Sequence, residues 1–278
     1  MSSETFLSWS VERVVRESPI PLTVLPDAAA VYQDFAATLL DEIVAYNRRG
    51  EPLSIILPVG PRGQYPLLAE RSNRERISWR GVRIYQMDEY LDWEGRYIPY
   101  EDPLSFRRFV QEFVASLNPD LRPPPEQIHV PDPERVNAIA EAMDRFGPPA
   151  TCYGGLGVHG HVAFNEPVIA RLSRVTAEQF RNSRTRVVPL APETIVMNSI
   201  RQLGGDTYAL PPMAVTIGMR EIVSAGRIRL YCDGGIWQRA VFRRALFEPA
   251  TVEWPVTLLR DHPDFQIIAT EETAQPAW

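Results

Sequence analysis

The chain has 278 residues, of which 45% are hydrophobic and 23% charged, so it is long enough to bury a substantial core. Its formal net charge is −6 and its basic residues form no long run, which argues against nucleic acid as the main partner. The two cysteines indicate neither a disulfide framework nor a zinc site, and the sequence shows neither a membrane span nor a signal peptide, so a cytoplasmic protein is expected.

Strand-like and helix-like segments alternate along the chain. Short apolar runs predict strands, and apolar residues at helical spacing predict helices. The predicted strands are 22–25, 53–57, 82–87, 128–130, 150–153, 185–188, 227–232 and 265–269. The predicted helices are 3–17, 27–46, a short helix after 63, 104–117, 134–146, 168–182, 192–199, 219–224, 236–247 and 255–259. This alternation predicts one α/β domain over residues 1–278, Rossmann-like, with a mostly parallel central sheet flanked by helices.

Residues 154–167, with the sequence GGLGVHGHVAFNEP, are the most distinctive stretch. Glycines such as Gly155 and Gly157 let a backbone turn tightly and approach a ligand closely. His159 and His161 are two of the four histidines, and Glu166 follows His161 closely enough to be its orienting carboxylate. The alternative is a glycine-rich turn whose histidines lie on the surface or bond to the backbone.

Asp88 directly follows the predicted strand 82–87. In a parallel sheet the carboxyl ends of the strands carry the loops that contact ligands, so Asp88 is a candidate site residue. The alternative is a helix N-cap, a common role for an aspartate in this position.

The stretch 154–167 resembles the catalytic loop of the glucosamine-6-phosphate deaminase/isomerase family, which is related to 6-phosphogluconolactonase. The segment QMDEYL at 86–91 is similar to the Asn-Met-Asp-Glu-Tyr segment of that family. The resemblance implies that Asp88 takes the proton from C2 of an open-chain amino-sugar phosphate, that His161 opens the sugar ring, and that Glu166 orients His161.

The resemblance also implies a reaction class and a partner. The expected enzyme is a hydrolase and isomerase of amino-sugar and carbohydrate metabolism that forms a ketose phosphate and ammonia, without a cofactor or metal. The partner is then a small phosphorylated amino sugar, with no nucleic acid or membrane involved, and the sequence leaves a homo-oligomer open.

Two segments depart from the family pattern. The family has aspartate where this chain has His159, and a second imidazole cannot supply the same fixed negative charge, so ring opening is the step most affected. The segment LPVGPRG at 57–63 stands in place of the phosphate loop. In the family this loop is a cradle of backbone amides around the phosphate. Gly60 matches the glycine of the family loop, Gly63 belongs to the same cradle, and Pro61 removes an amide donor. Arg62 either binds the phosphate, binds another anion such as a carboxylate, or is a solvated loop arginine.

Two further arginines lie near positions where the family has anion ligands. Arg201 follows NSI at 198–200 and Arg239 follows GGIWQ at 234–238, each with a small offset from the family spacing. We expect both at helix starts, where the helix dipole also favours anions.

Three functions remain open at this level. The chain is an amino-sugar phosphate deaminase, a relative acting on a different sugar phosphate or a phosphosugar lactone, or a sugar-phosphate sensor. Such a sensor would have lost part of the relay that the aspartate, the histidine and the glutamate form in the family. The segment FNEP at 164–167 favours the deaminase over the lactonase, while His159 and Pro61 leave the sensor open.

Overall fold

The computed structural model describes residues 5–168 and 174–278. Its strands are β1 (Leu22–Leu25), β2 (Leu53–Leu57), β3 (Val82–Gln86), β4 (Asp88–Leu91), β5 (Ile128–His129), β6 (Thr151–Gly155), β7 (Arg186–Pro189), β8 (Met213–Thr216), β9 (Arg227–Cys232) and β10 (Phe265–Thr270). Its α-helices are α1 (Val11–Glu17), α2 (Ala28–Arg49), α3 (Gln64–Glu75), α4 (Phe106–Ser116), α5 (Ala138–Phe146), α6 (Ala177–Arg181), α7 (Pro192–Gln202), α8 (Met219–Val223), α9 (Arg239–Phe247) and α10 (Glu271–Ala274). Short 3-10 helices lie at Phe6–Ser8, Pro125–Gln127, Gly235–Gln238 and Pro255–Leu259.

The described residues form two sheets. The central sheet has seven parallel strands in the order β1-β10-β9-β6-β2-β3-β5, and a smaller antiparallel sheet has the order β4-β8-β7. The chain proceeds from β2 through β3 to β5 on one side of the sheet and from β6 through β9 to β10 on the other, while the first strand, β1, lies outside β10. A parallel sheet opens a crevice at the carboxyl ends of its strands where the strand order diverges in this way.

Helices cover both faces of the central sheet, which explains why β2 is buried at every position. Alternate side chains of a strand point to opposite faces. Ile55 accordingly belongs to the apolar cluster that contains Phe35 of α2, whereas Ile56 belongs to the cluster that contains Phe242 of α9. The central strands therefore read as continuous apolar runs because neither face meets water.

The predicted α/β fold class is confirmed, with helices around a parallel central sheet. That residues 1–278 form one domain stays a prediction. Among the described helices, none has the length and apolar character needed to cross a membrane.

Several predicted elements differ from the structure. The helix predicted over 3–17 is interrupted, because α1 starts only at Val11, where the Ser10 hydroxyl accepts a hydrogen bond from the Arg13 amide. The helix predicted over 134–146 starts at Ala138. The helix predicted over 168–182 is reduced to α6 within the described residues, and part of that prediction, 169–173, lies outside them.

The segment that begins at Asp88 is neither a loop nor the start of a helix. A single residue, Met87, separates β3 from this segment, which forms β4 and pairs antiparallel with β8. The alternative interpretation of Asp88 as a helix N-cap is therefore wrong.

Candidate active site

A cleft of about 400 Å³ lies at the edge of the sheet where β2, β6 and β9 end. This volume is in the usual range for a small-molecule site, roughly 300–1,000 Å³. The sequence-predicted residues that line it are Asp88, His161, Gly60, Arg62, Gly63, Arg201, Gly155 and Gly157. Glu166 and His159 lie behind His161, and Arg239 lies elsewhere.

Asp88 is buried at the floor of this cleft, with 7% of its surface exposed. Its carboxylate makes no hydrogen bond with any other described residue. Burial, and secondarily the charge of Glu89, raises the pKa of Asp88 to about 8. Asp88 is thus a carboxyl group that ionises near neutral pH and faces the cleft.

Glu89 is fully buried and serves a structural purpose. Its carboxylate accepts hydrogen bonds from the amides of Phe106 and Arg107 at 2.9 and 2.7 Å and from the Ser105 hydroxyl at 3.2 Å. The Arg107 guanidinium adds an ion pair at 3.0 Å. Because these groups are the first turn of α4, Glu89 satisfies helix amides that would otherwise lack acceptors. This contact, which the sequence interpretation missed, fixes α4 against β4.

The glycines of the loop at 154–167 make room for the His161 ring. A Cβ atom on Gly157 would lie 1.9 Å from His161 Nε2, so no larger residue fits there without displacing the imidazole. The Gly157 amide donates to the His161 carbonyl at 2.9 Å, which closes a tight turn. The loop therefore holds Nε2 of His161 at the cleft.

Asn165 anchors the same loop to the neighbouring sheet. Its side-chain amide donates to the carbonyls of Val162 and Ile217 at 3.0 and 2.9 Å, and its oxygen accepts from Arg186 at 2.9 Å. This role was not predicted. The signal in the sequence is an asparagine within a glycine-rich loop, since the backbone groups of such a loop need hydrogen-bond partners when they are buried.

His161 faces Glu166 on the side away from the cleft. His161 Nδ1 lies 3.7 Å from Glu166 Oε1, which is too long for a hydrogen bond. The other carboxylate oxygen, Oε2, accepts from the Ala191 amide at 2.6 Å. Burial, and secondarily His159, lowers the pKa of His161 to about 3, while burial raises the pKa of Glu166. The imidazole is therefore neutral at physiological pH.

His159 lies beside this pair but does not line the cleft. Its ring centroid is 6.3 Å from that of His161, and its Nε2 lies 3.5 Å from an oxygen of the exposed Glu193. The structure thus brings His159, His161 and Glu166 together although they are spread over an irregular loop.

Arg62 and Arg201 converge at one end of the cleft. The Arg62 guanidinium lies over Phe109 with Nη2 3.5 Å from Gln202 Oε1, and the Arg201 guanidinium lies over Trp237. Within the described residues neither is paired with a carboxylate. Burial lowers the pKa of Arg62, and the nearby charge of Arg201 acts in the same direction. Two close guanidinium groups without an acidic partner favour an anionic ligand between them.

The loop that follows β2 brings backbone to the same end. Gly60 and Gly155 approach closely, since a Cβ on Gly155 would lie 3.2 Å from the Gly60 carbonyl. A Cβ on Gly63 would meet the Tyr32 ring at 2.2 Å. The loop runs directly into α3, where the Tyr65 amide already donates to the Arg62 carbonyl at 3.2 Å and Pro66 has no amide, so any backbone donors for an anion come from the loop before Tyr65.

Two expectations about the arginines need correction. Arg201 lies in the last turn of α7 and not at a helix start, so any anion there is held by its guanidinium and not by the helix dipole. Arg239 does begin α9, but its guanidinium donates to the Glu272 carbonyl at 3.0 Å and is outside the cleft.

Tyr32 and Asp233 were not predicted as site residues, yet both line the cleft. The Tyr32 hydroxyl donates to Asp233 Oδ2 at 2.7 Å. Asp233 directly follows β9, just as Asp88 closely follows β3, so the same strand-end signal would have found it.

No family model matches the chain. Glucosamine-6-phosphate deaminase 1 of Mesocricetus auratus is 30% identical over 225 residues, which cover 78% of this chain and 71% of the relative. Among solved structures, a monomeric glucosamine-6-phosphate deaminase superposes with a TM-score of 0.77 at 21% identity, covering 92% of this chain and 99% of its own. A 6-phosphogluconolactonase from Shewanella baltica has a TM-score of 0.65 at 17% identity, covering 90% of this chain and 97% of its own. At these identities the two structures establish the fold alone.

The curated relatives correct one expectation. They carry the name of a deaminase, so the expected classification as a hydrolase is wrong, whereas isomerase and carbohydrate metabolism are supported. Identity and coverage together show the relationship that the loop at 154–167 indicated: the chain belongs to the glucosamine-6-phosphate deaminase family.

Proposed function

We propose that this enzyme converts glucosamine 6-phosphate, or a close amino-sugar phosphate, into the ketose phosphate and ammonia. Membership of the family supports the class of reaction. The observation that carries the assignment is Asp88, a buried carboxyl group without a hydrogen-bond partner among the described residues, at the floor of a cleft with two arginines at one end.

The proposed base is Asp88. Its carboxylate removes the C2 proton of the open-chain aldehyde while the aldehyde oxygen takes a proton from water, which leaves an enolamine. Returning the C2 proton to C1 then gives an iminium at C2. Water then adds to C2 as ammonia leaves. A carboxylate with a pKa near 8 is a stronger base than an ordinary aspartate and holds the proton more firmly between the two transfers.

Ring opening is the proposed task of His161. The imidazole is neutral because burial lowers its pKa to about 3, so it can accept the proton of the C1 hydroxyl at neutral pH and pass it to the ring oxygen as the C1–O5 bond breaks. Glu166 orients the ring if the 3.7 Å gap between Nδ1 and Oε1 closes to hydrogen-bond length when substrate binds.

The proposed phosphate site lies at the other end of the cleft. Arg62 and Arg201 supply the positive charge there, and backbone amides near Gly60 and Gly63 supply further donors. Guanidinium groups suit this task because their forked donors match two phosphate oxygens.

A direct test is ammonia release. The purified full chain is incubated with glucosamine 6-phosphate, and ammonia and fructose 6-phosphate are quantified against time. Equal amounts of both products are expected, with none from unphosphorylated glucosamine at the same concentration or from the Asp88→Asn variant. A thermal-shift panel of sugar phosphates and carboxylic acids identifies the preferred ligand.

A second candidate is a sensor that binds a phosphosugar without turnover. The 3.7 Å separation between His161 Nδ1 and Glu166 Oε1 favours it, because the relay lacks its hydrogen bond in the described structure. Tight binding in the thermal-shift panel with no ammonia from any amino-sugar phosphate would establish the sensor and refute the enzyme.

A further inference from the structure

Three side chains behind the cleft have the composition of a transition-metal site. His159, His161 and Glu166 each offer one ligand atom, and these atoms all lie within 4.8 Å of one another. Two imidazole nitrogens with one carboxylate oxygen form a recurrent donor set for zinc and for ferrous iron, with the remaining positions open.

The potential ligand atoms have no other partners. His159 Nδ1, His161 Nδ1 and Glu166 Oε1 are all buried and make no hydrogen bond to any described residue. Buried polar atoms are normally paired, because burying one without a partner forfeits its hydrogen bonds to water. Three such atoms on residues that lie this close together therefore need a common explanation.

A hydrogen bond between His161 and Glu166 does not explain these unpaired atoms. His161 Nδ1 and Glu166 Oε1 lie 3.7 Å apart, which exceeds the reach of a hydrogen bond. Two ligands of one tetrahedral zinc ion, each about 2.0–2.2 Å from the metal, lie roughly 3.3–3.5 Å apart. The observed separation is thus close to that of two atoms that share an ion, and the third ligand atom, on His159, lies within 4.8 Å of the other two.

Neighbouring groups orient these side chains in the way that is usual for metal ligands. Glu166 Oε2 accepts from the Ala191 amide at 2.6 Å, which turns Oε1 towards His161. His159 Nε2 lies 3.5 Å from a Glu193 oxygen, which leaves Nδ1 for a metal. Metal-binding histidines commonly have their second nitrogen beside a carboxylate, which fixes the ring and increases its basicity.

We propose that His159, His161 and Glu166 bind one divalent transition-metal ion of the zinc class. The ion is coordinated by the two imidazoles and the carboxylate, and water completes its coordination. This site was not expected from the sequence, because the ligand spacing follows no regular helical or strand pattern.

Metal binding has a consequence for catalysis that rests on the proposed function. An ion on His161 Nδ1 places the proton of the imidazole on Nε2, the nitrogen at the cleft, so that Nε2 can no longer accept the proton of the C1 hydroxyl. We therefore expect zinc to slow turnover of a cyclic substrate and to leave an acyclic substrate, which needs no ring opening, largely unaffected.

The primary experiment measures zinc binding without substrate. The full chain, treated with a chelator and exchanged into clean buffer, is titrated calorimetrically with Zn²⁺ alone and, separately, with Co²⁺ while the visible absorption of the bound ion is followed. One equivalent is expected to bind. His159→Gln and Glu166→Gln should each weaken binding at least tenfold, whereas His129→Gln, a histidine that stacks on Tyr85 outside the cluster, should not.

The outcomes separate this inference from the proposed function. Absence of zinc binding in the folded wild type, or equal affinities in the wild type and His159→Gln, would overturn the metal site even if ammonia is released. If Glu166→Gln fails to fold, His159→Gln decides alone, because His159 is only partly buried and circular dichroism can verify its fold. Zinc binding without ammonia release would support the metal site while the enzyme proposal fails.

Discussion

Asp88 and Glu89 are consecutive residues of β4, yet their carboxylates face different environments. Asp88 opens into the cleft without a hydrogen-bond partner among the described residues, while Glu89 accepts three hydrogen bonds and an ion pair at the start of α4. Alternation along the strand produces this division, since successive side chains point to opposite faces. The adjacent structural acid also helps to keep the pKa of the cleft acid high, although burial is the larger cause.

If Asp88 is the base, Asp88→Asn abolishes exchange of the C2 proton with solvent. The amide has the same shape but no basic oxygen, so both cyclic and acyclic substrates are affected. Proton NMR in deuterium oxide measures the exchange directly. In the wild type, kcat/KM of the free enzyme should rise with pH up to about 8, because only about a tenth of Asp88 is ionised at pH 7. Exchange in Asp88→Asn at the wild-type rate would exclude Asp88 as the base.

The same variant should change the dependence of stability on pH. The pKa of Asp88 is about 8 in the folded chain against an ordinary value of 3.8, so the folded state favours the protonated form. The stabilisation that Asp88 gives the folded state is fully present below pH 3.8. It is lost as the pH rises to about 8, and the free energy of unfolding falls by about 1.4 kcal/mol per pH unit in that range. Asp88→Asn should therefore become more stable than the wild type as the pH rises from 4 to 8. Urea unfolding at several pH values measures this difference, and parallel curves for the two proteins would contradict it.

Glu89→Gln tests the helix-capping contact. The substitution removes the charge that pairs with Arg107 and turns one acceptor into a donor facing the α4 amides, so we expect a loss of about 2–4 kcal/mol of unfolding free energy. The control is Glu112→Gln on the same helix, whose ion pair with Arg108 is exposed. That change should stay within about 0.5 kcal/mol. Equal effects of the two substitutions in denaturant unfolding would show that Glu89 is not important for stability.

Much of this architecture could be predicted from the sequence, but only the elements that have a local pattern of apolar residues. The apolar runs of β2, β9 and β10 predict strands because both faces of the sheet are buried. The second sheet was not predicted, because β4, β7 and β8 have four residues each and pair across distant parts of the chain, as Asp88 does with Thr216. The cluster around His161 was seen only in part for the same reason. The sequence of the loop was enough to predict its histidines as site residues. The contacts with Ala191 and Glu193 come from the start of α7, and no local pattern in the sequence indicates them.

Arginine substitutions test the proposed anion end of the cleft. A charge-assisted contact contributes about 1.5–3 kcal/mol, so Arg62→Ala and Arg201→Ala should each weaken phosphosugar binding roughly tenfold or more. Arg239→Ala is the matched control, since its guanidinium contacts a backbone carbonyl outside the cleft. Calorimetric titration with the phosphosugar measures the three affinities. Loss of affinity in Arg239→Ala alone would place the anion elsewhere.

His159→Asp tests the residue at which the chain departs most clearly from its family. A fixed carboxylate beside His161 stabilises the imidazolium that forms when the ring accepts a proton, so ring opening should become easier. In chelator-treated protein, turnover of cyclic glucosamine 6-phosphate should rise, while turnover of an acyclic amino-sugar phosphate should stay the same, because that substrate skips the step. Parallel kinetics with the two substrates provide the comparison. If both rates fall, the imidazole of His159 has a role of its own, as a substrate contact or a second acid-base. If both rates rise together, the substitution acts on proton transfer at C2, and ring opening is not the step that His159 limits.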